Sequence, residues 1–147
     1  MWLNQQTLDA IRLMVDLASR WPSAAKAAEL SLSTGITQTN VQKTVHALGR
    51  STLIETERGR RGGVRLVRPA DAITIGEIVR AFEPKDCPAN FLMASDRDDP
   101  VSTLMFRAHR GFFQPLEATT LADLEKTPKH QRPEAAIPGA APTRPGA

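Results

Sequence analysis

Hydrophobic spacing changes period partway along this chain and then changes back, and this limits the folds open to it more than any single motif does. Between residues 5 and 19, Leu8, Ile11, Met14, Val15 and Ala18 recur at threes and fours, which marks one apolar face of a helix. Residues 53 to 57 and 64 to 68 are instead short β-prone runs, with "RGRRGG" between them. Helical spacing returns in "ITIGEIVRAFE" from residue 73, through Ile75, Ile78, Val79 and Phe82, with Thr74 or Asp71 as its cap and Pro84 as its end. One small β-hairpin set within a series of helices predicts a mainly α fold.

The segment before the hairpin divides into two short helices. After "WP", Ser23 is expected to cap the first through its side-chain oxygen, and "AAKAAELSLS" continues it until Gly35. Thr37 is expected to cap the second, where Val41, Val45 and Leu48 share one face and Gln38, Thr39, Gln42, Lys43 and His46 lie on or near the other. Two short helices around a Gly-containing turn, the second polar outward, describe a helix-turn-helix. A helix fits the major groove, where amide, hydroxyl and lysine groups can meet base edges and phosphates. In the hairpin, Gly59, Gly62 and Gly63 are expected to supply positive φ, and Arg58, Arg60, Arg61 and Arg65 project from its tip and shoulders. Taken alone, such a turn is more often simply solvated, and a polar helix face is often no more than a soluble one. A hairpin directly after a helix-turn-helix, however, is a wing, suited to the narrow minor groove or the phosphates beside it. Neither Gly-Lys-Ser/Thr nor G-x-G-x-x-G occurs, so a nucleotide-cradling loop fits poorly. The expected DNA contacts are Thr37, Gln38, Thr39, Asn40, Gln42 and Lys43 on the helix, with Arg58, Arg60, Arg61 and Arg65 on the wing.

Beyond the hairpin the chain is less regular. Residues 84–100, "PKDCPANFLMASDRDDP", read as a loop holding the single cysteine, Cys87. Val101, Leu104, Met105, Ala108, Phe112 and Leu116 then restore helical spacing, either as a dimer seam or as a face packed back onto the first helix. Pro115 is expected to kink that helix or end it early. Residues 128–147 shift to Pro, Ala and Gly and are expected to stay disordered. The predicted organisation is a winged helix-turn-helix over 1–83, a sensor-type loop over 84–100, a dimerisation helix and cap over 101–127, and a tail over 128–147.

A chain of 147 residues, 41% hydrophobic, can bury one core with at most a small appendage. The charge of +3 is only mildly basic, so its clustering on the hairpin says more than its total. With no run of eighteen apolar residues and no signal-peptide pattern, a cytoplasmic protein with no membrane partner is expected. One cysteine excludes an internal disulfide. His46, His109 and His130 are scattered, no nucleophile-base or paired-carboxylate set stands out, and no enzyme is expected. A protein-interaction adaptor is the alternative to a DNA-binding regulator, and the charge clustered on the wing argues against it.

Three segments carry a family resemblance. "RGRRGGVRLVRPADAITIGEIVRAFEP", "TTLADL" at 119–124 and "KTVHALGR" at 43–50 are similar to the wing with its following helix, the end of the dimer helix and the recognition helix of the Rrf-two family of bacterial winged-helix repressors. The resemblance spans about residues 5 to 125. It implies a homodimer that reads a palindromic operator, with wings in the minor groove, long helices crossed at the dimer interface, and control by a signal, often an iron-sulfur cluster. This chain departs from that pattern in the loop, where cluster-bearing members carry three cysteines and only Cys87 stands, with residues such as Leu92, Met93 and Asp98 near the other positions. A [2Fe-2S] or [4Fe-4S] cluster needs four protein ligands, nearly always thiolates, so one chain cannot supply them and no cofactor is expected. Two subunits could pool Cys87 and His109, with Asp96 or Asp99 in reserve, although carboxylates are poor ligands for soft metals. Cys87 could equally be inert, or a thiol switch beside Lys85. Thr39, Asn40 and Gln42 replace bulkier or basic residues, which implies a different operator, and Thr52 stands where a helix-ending glycine is common.

Overall fold

The computed structural model describes residues 3–59, 62–82 and 99–126. Within them, six α-helices accompany one two-stranded antiparallel hairpin. Most of the 84–100 loop, with Cys87, and the tail 128–147 lie outside the described residues.

Helix α1, Gln5–Ser19, starts where the Asn4 side chain accepts the Thr7 N–H. It is the hub of the fold, touched by α2, α3, the hairpin and the helices at Ile75–Phe82 and Leu121–Lys126. The predicted face is therefore one edge of a wider apolar side: Ala10, Leu13, Met14, Leu17 and Ala18 are buried, whereas Leu8, Ile11 and Val15 are half-buried.

Helix α2, Ala27–Thr34, begins later than expected, and Ser23 does not cap it. Ala25 forms an isolated bridge with Val64, and this keeps the chain extended as far as Lys26. The Glu29 carboxylate then accepts the Lys26 N–H at 2.8 Å and serves as the cap. Gly35, at φ 73°, ends α2 in the left-handed conformation. Helix α3, Gln38–Leu48, follows after Thr37, whose side chain accepts the Asn40 N–H at 3.4 Å.

The wing consists of β1, Ile54–Glu57, and β2, Gly63–Leu66, in a register that sets Ile54 opposite Leu66 and Glu55 opposite Arg65. Only Gly59 of the three hairpin glycines has a positive φ, 107°. Gly62 and Gly63 are needed for a different reason, which is close approach. A Cβ on Gly62 would run into the Glu57 carbonyl, and one on Gly63 would lie 2.6 Å from the Ala25 oxygen. Leu53, Ile54, Val64 and Leu66 are buried and anchor the hairpin to the core.

A short 3-10 turn at Ala70–Ala72, which contains Asp71, leads to α4, Ile75–Phe82. Thr74 caps α4 reciprocally: its hydroxyl accepts the Glu77 N–H at 3.2 Å, and the Glu77 carboxylate accepts the Thr74 N–H at 2.9 Å. Helix α5, Pro100–Ala118, begins with Asp99 accepting the Ser102 N–H at 2.8 Å. Pro115 does not end it early. Gly111, the residue whose carbonyl loses its partner to proline, is exposed, as is Pro115, so that carbonyl can turn to water and the helix continues to Ala118. Helix α6, Leu121–Lys126, has its own reciprocal cap between Thr120 and Asp123. Backbone bonds from Ile75 N–H to the Thr119 oxygen at 2.9 Å, and from Leu121 N–H to the Ile73 oxygen at 3.0 Å, stitch this end of the chain to the start of α4. Leu13, Met14, Leu17, Leu30, Val41, Leu48, Ile73, Ile78, Val79, Phe113 and Leu121 meet in one core. Each such side chain contributes roughly 1.5 to 3 kcal/mol by leaving water.

Candidate nucleic-acid interface

Helix α3 is held from one side. Val41, Thr44 and Leu48 are buried and Val45 is half-buried, so the helix cannot roll about its axis without exposing them. That constraint turns Gln38, Thr39, Asn40, Gln42, Lys43 and His46 to solvent together. Thr37 is exposed as well, and its oxygen is engaged with the Asn40 N–H while its hydroxyl proton is available to a phosphate. Amide, hydroxyl and ammonium groups spread over the outward side of α3 supply both donors and acceptors, as reading base edges requires.

A notch of about 460 Å³ separates α3 from the wing, lined by Ala27, Gln42, Val45, His46, Gly49, Arg50 and Thr56. Its lining shows that the polar side of α3 and strand β1 border one concavity. Arg50 was not among the residues expected to form the site. The signal was present in the sequence, because a basic residue follows Lys43 and His46 at the helix end, but only the fold puts it against the hairpin.

The described arginines of the wing differ in their surroundings. Arg58 is exposed beside Gly59 at the hairpin tip, whereas Arg60 and Arg61 lie outside the described residues. Arg65 is held by two carboxylates of β1: its Nε donates to Glu55 at 2.7 Å and a terminal nitrogen donates to Glu57 at 2.8 Å. At the wing's base, Arg68 binds Glu77 of α4 at 2.8 Å and donates to the Ala72 carbonyl at 2.8 Å. Burial pushes the Glu77 carboxyl up. The hydrogen bonds from Arg68 and the Thr74 N–H, together with the Arg68 charge, outweigh burial and hold it below its ordinary value of 4.5.

The distal helix is anchored at its C-terminal half. Phe113 is buried, Arg80 of α4 lies 4.4 Å over its ring and pairs with Glu117, and the His109 ring lies tilted against the same ring at 4.7 Å. The main neighbour of α5 is α4, and Phe113 joins the common core with the half-buried Phe112 and Leu116 packed against it. Val101, Leu104 and Met105, in the N-terminal half, remain exposed at 64%, 64% and 47%.

Among the described residues, no group of three or more His, Cys, Asp or Glu side chains is placed to hold a metal ion. Cys87 lies outside them, and one cysteine per chain does not match the four mostly thiolate ligands of an iron-sulfur cluster. Among the described residues, no helix is long and apolar enough to cross a membrane.

Comparison with known proteins adds to this geometry. Residues 3–127 match the family model described as "Rrf2: Iron-dependent Transcriptional regulator". Protein aau3 of Rhizobium meliloti (strain 1021) is 32% identical over 132 residues, 86% of each chain. Among solved structures, T. potens IscR superposes with a TM-score of 0.68 at 20% identity, over 84% of this chain and 85% of that one. CymR (YrzC), the global cysteine regulator of B. subtilis, also superposes at 0.68, with 22% identity, over 85% of this chain and 96% of that one. At those identities the structural likeness speaks for the winged-helix fold, while the family match covers all six helices and the hairpin described above. This chain belongs to the Rrf2 (Rrf-two) family, whose members are transcriptional regulators and not enzymes.

Proposed function

We propose that the chain acts as a homodimeric repressor that reads a palindromic operator, with α3 in the major groove and the wing against the minor groove or its phosphates. One observation carries this reading: α3 is fixed by its buried side and presents six polar side chains outward, beside a wing that borders the same notch. In this reading Gln38, Thr39, Asn40 and Gln42 meet base edges, and Thr37, Lys43 and Arg50 meet nearby phosphates. Arg58 serves the wing tip, with Arg60 and Arg61, which follow it in the sequence, as further candidate contacts. The exposed apolar row of Val101, Leu104 and Met105 supports the dimer, and a two-fold dimer matches a palindrome by symmetry.

The proposed signal is redox, iron or a small molecule, and Cys87, the one thiol in the chain, is where a redox signal would act. Absorption spectra and iron analysis on anaerobically purified wild-type and Cys87→Ser protein test this. Colour and iron that disappear in the variant would establish a cluster shared between subunits. Colourless protein whose DNA affinity responds to oxidant through Cys87 would establish a thiol switch.

The DNA reading is tested by fluorescence anisotropy on a selected operator across a salt series. Gln38→Ala should cost about 1 to 3 kcal/mol and relax preference at one base pair. Arg58→Ala should weaken all sequences alike and lower the salt slope by about one unit. If both variants titrate like wild type, neither α3 nor the wing contacts DNA as assigned.

A further inference from the structure

We propose that Arg65 is a charge-compensating, positioning residue of the wing, which cancels Glu55 and Glu57 so that this face of the hairpin can lie against a phosphate backbone. The inference rests on the DNA-binding reading above and concerns how the wing achieves it. Side chains alternate across a two-stranded ribbon, and the register fixes which ones share a face. Val64, paired with Thr56, is buried at the Ala25 bridge. Glu55, Glu57 and Arg65 are therefore on the opposite, outward face, with side chains 48%, 49% and 37% exposed. That face holds two carboxylates and one guanidinium, and Arg58 stands just beyond it at the tip.

Two carboxylates are an unexpected choice for a surface meant to approach phosphate. Left bare, they would repel the partner that Arg58 attracts. Arg65 spans both, with Nε on Glu55 at 2.7 Å and a terminal nitrogen on Glu57 at 2.8 Å, so both N–H bonds are charge-assisted. Exposed ion pairs of this kind add little to folding stability, so the consequence of the arrangement lies in the field around the wing. A guanidinium already engaged by two carboxylates is also less available to a phosphate than Arg58 is. This distinguishes Arg65 from the contact residues expected beside it in the sequence.

The test compares four full-length proteins on one operator: wild type, Arg65→Ala, Glu55→Gln with Glu57→Gln, and the triple variant. Arg65→Ala should lose roughly tenfold in affinity near 0.1 M salt, because two carboxylates become uncompensated. The triple variant should recover wild-type affinity or exceed it, and the double glutamine variant should bind at least as tightly as wild type. Thermal midpoints should agree to within a few degrees across the set. A triple variant as weak as Arg65→Ala would overturn the proposal, since Arg65 would then itself be the contact. So would Arg65→Ala binding as wild type does. Gln38→Ala and Arg58→Ala are run alongside. If those also leave binding unchanged, what fails is the DNA-binding reading of this site, and the two failures are thereby told apart.

Discussion

Helices α3 and α5 each leave a long side in water, but they do so with opposite chemistry. On α3 the exposed residues are Gln38, Thr39, Asn40, Gln42, Lys43 and His46, while Val41, Thr44 and Leu48 are buried. On α5 the one buried residue is Phe113, and the exposed positions include Val101, Leu104, Met105 and Ala108. A polar outward row loses nothing by staying wet until a polar, charged partner arrives. An apolar outward row carries a standing cost of order 25 cal/mol per Å², which a second apolar surface removes. The difference teaches that exposure alone says little about function, whereas the kind of group exposed names the kind of partner.

The largest effect should come from charging the apolar row. Leu104→Glu combined with Met105→Glu should convert the proposed dimer into a folded monomer, measured by light scattering after size-exclusion chromatography. Affinity for an operator with two half-sites should fall by about 10² to 10⁴, because the second half-site is no longer bound intramolecularly. Circular dichroism should not change, since both side chains already face water. A variant that stayed dimeric would mean that the apolar row of α5 is not the seam.

A second experiment asks whether the two helices bear weight as differently as their burial implies. In that monomeric background, Leu48→Ala should cost about 2 to 5 kcal/mol in urea unfolding, as a fully buried leucine does. Val101→Ala should stay within about 0.5 kcal/mol, since it removes methyl groups already in water. Equal losses would mean that the exposed half of α5 is folded against something in the monomer.

How much of this could be read beforehand differs along the chain. Thr37, Gly35, Thr74 and the polar row of α3 were legible because each is a local signal: a cap, a stop, a periodicity. The inward face of α1 was only partly legible. Leu8, Ile11 and Val15 satisfy helical spacing as well as Leu13 and Leu17 do, and only the arrival of neighbours on several sides decides which are buried. Ser23 is as good a capping residue as any, but the Ala25–Val64 bridge, a contact to the second strand of the hairpin, postpones the helix. The same bridge explains Gly63, whose need is for space and not for a positive φ. Arg65 looked like Arg58 in the sequence, and its two carboxylates became visible only with the strand register. Nothing in local spacing distinguished Pro115 in open solvent from a helix-breaking proline in a packed interior.

Thr52 stands at the joint between α3 and the wing. It is a β-branched residue at φ 57°, where glycine is at ease and other residues are strained by roughly 1 to 2 kcal/mol. Thr52→Gly relieves that strain but adds backbone freedom to the unfolded chain, costing about 0.5 to 1 kcal/mol. The net expectation is a gain of up to about 1 kcal/mol, seen as a rise in Tm of roughly 2 to 4 °C. DNA affinity should be unchanged, since the exposed Thr52 is not among the proposed contacts. Lower stability would mean that the joint holds its shape through the threonine side chain.

The smallest effect concerns Glu77, on the helix that packs against α1 on one side and α5 on the other. Its folded-state carboxyl lies below the ordinary value of 4.5: burial raises it, but the Arg68 and Thr74 hydrogen bonds with the Arg68 charge lower it further. A group depressed in the folded state binds its proton more readily when unfolded, so stability rises with pH through that range. The stabilisation from Glu77 is thus complete above the unfolded value of 4.5 and is lost as pH falls through the lower folded value. Glu77→Gln keeps an oxygen to accept the Thr74 N–H but removes the charge. Urea midpoints of wild type and variant should therefore differ most near neutrality and converge as the solution is acidified. The gap should be modest and should shrink with salt, because both Arg68 and Glu77 are 40% exposed. A gap that persists unchanged in acid would assign the role of Glu77 to packing at the wing's base, leaving the Arg68 pair with no part in holding the wing to α4.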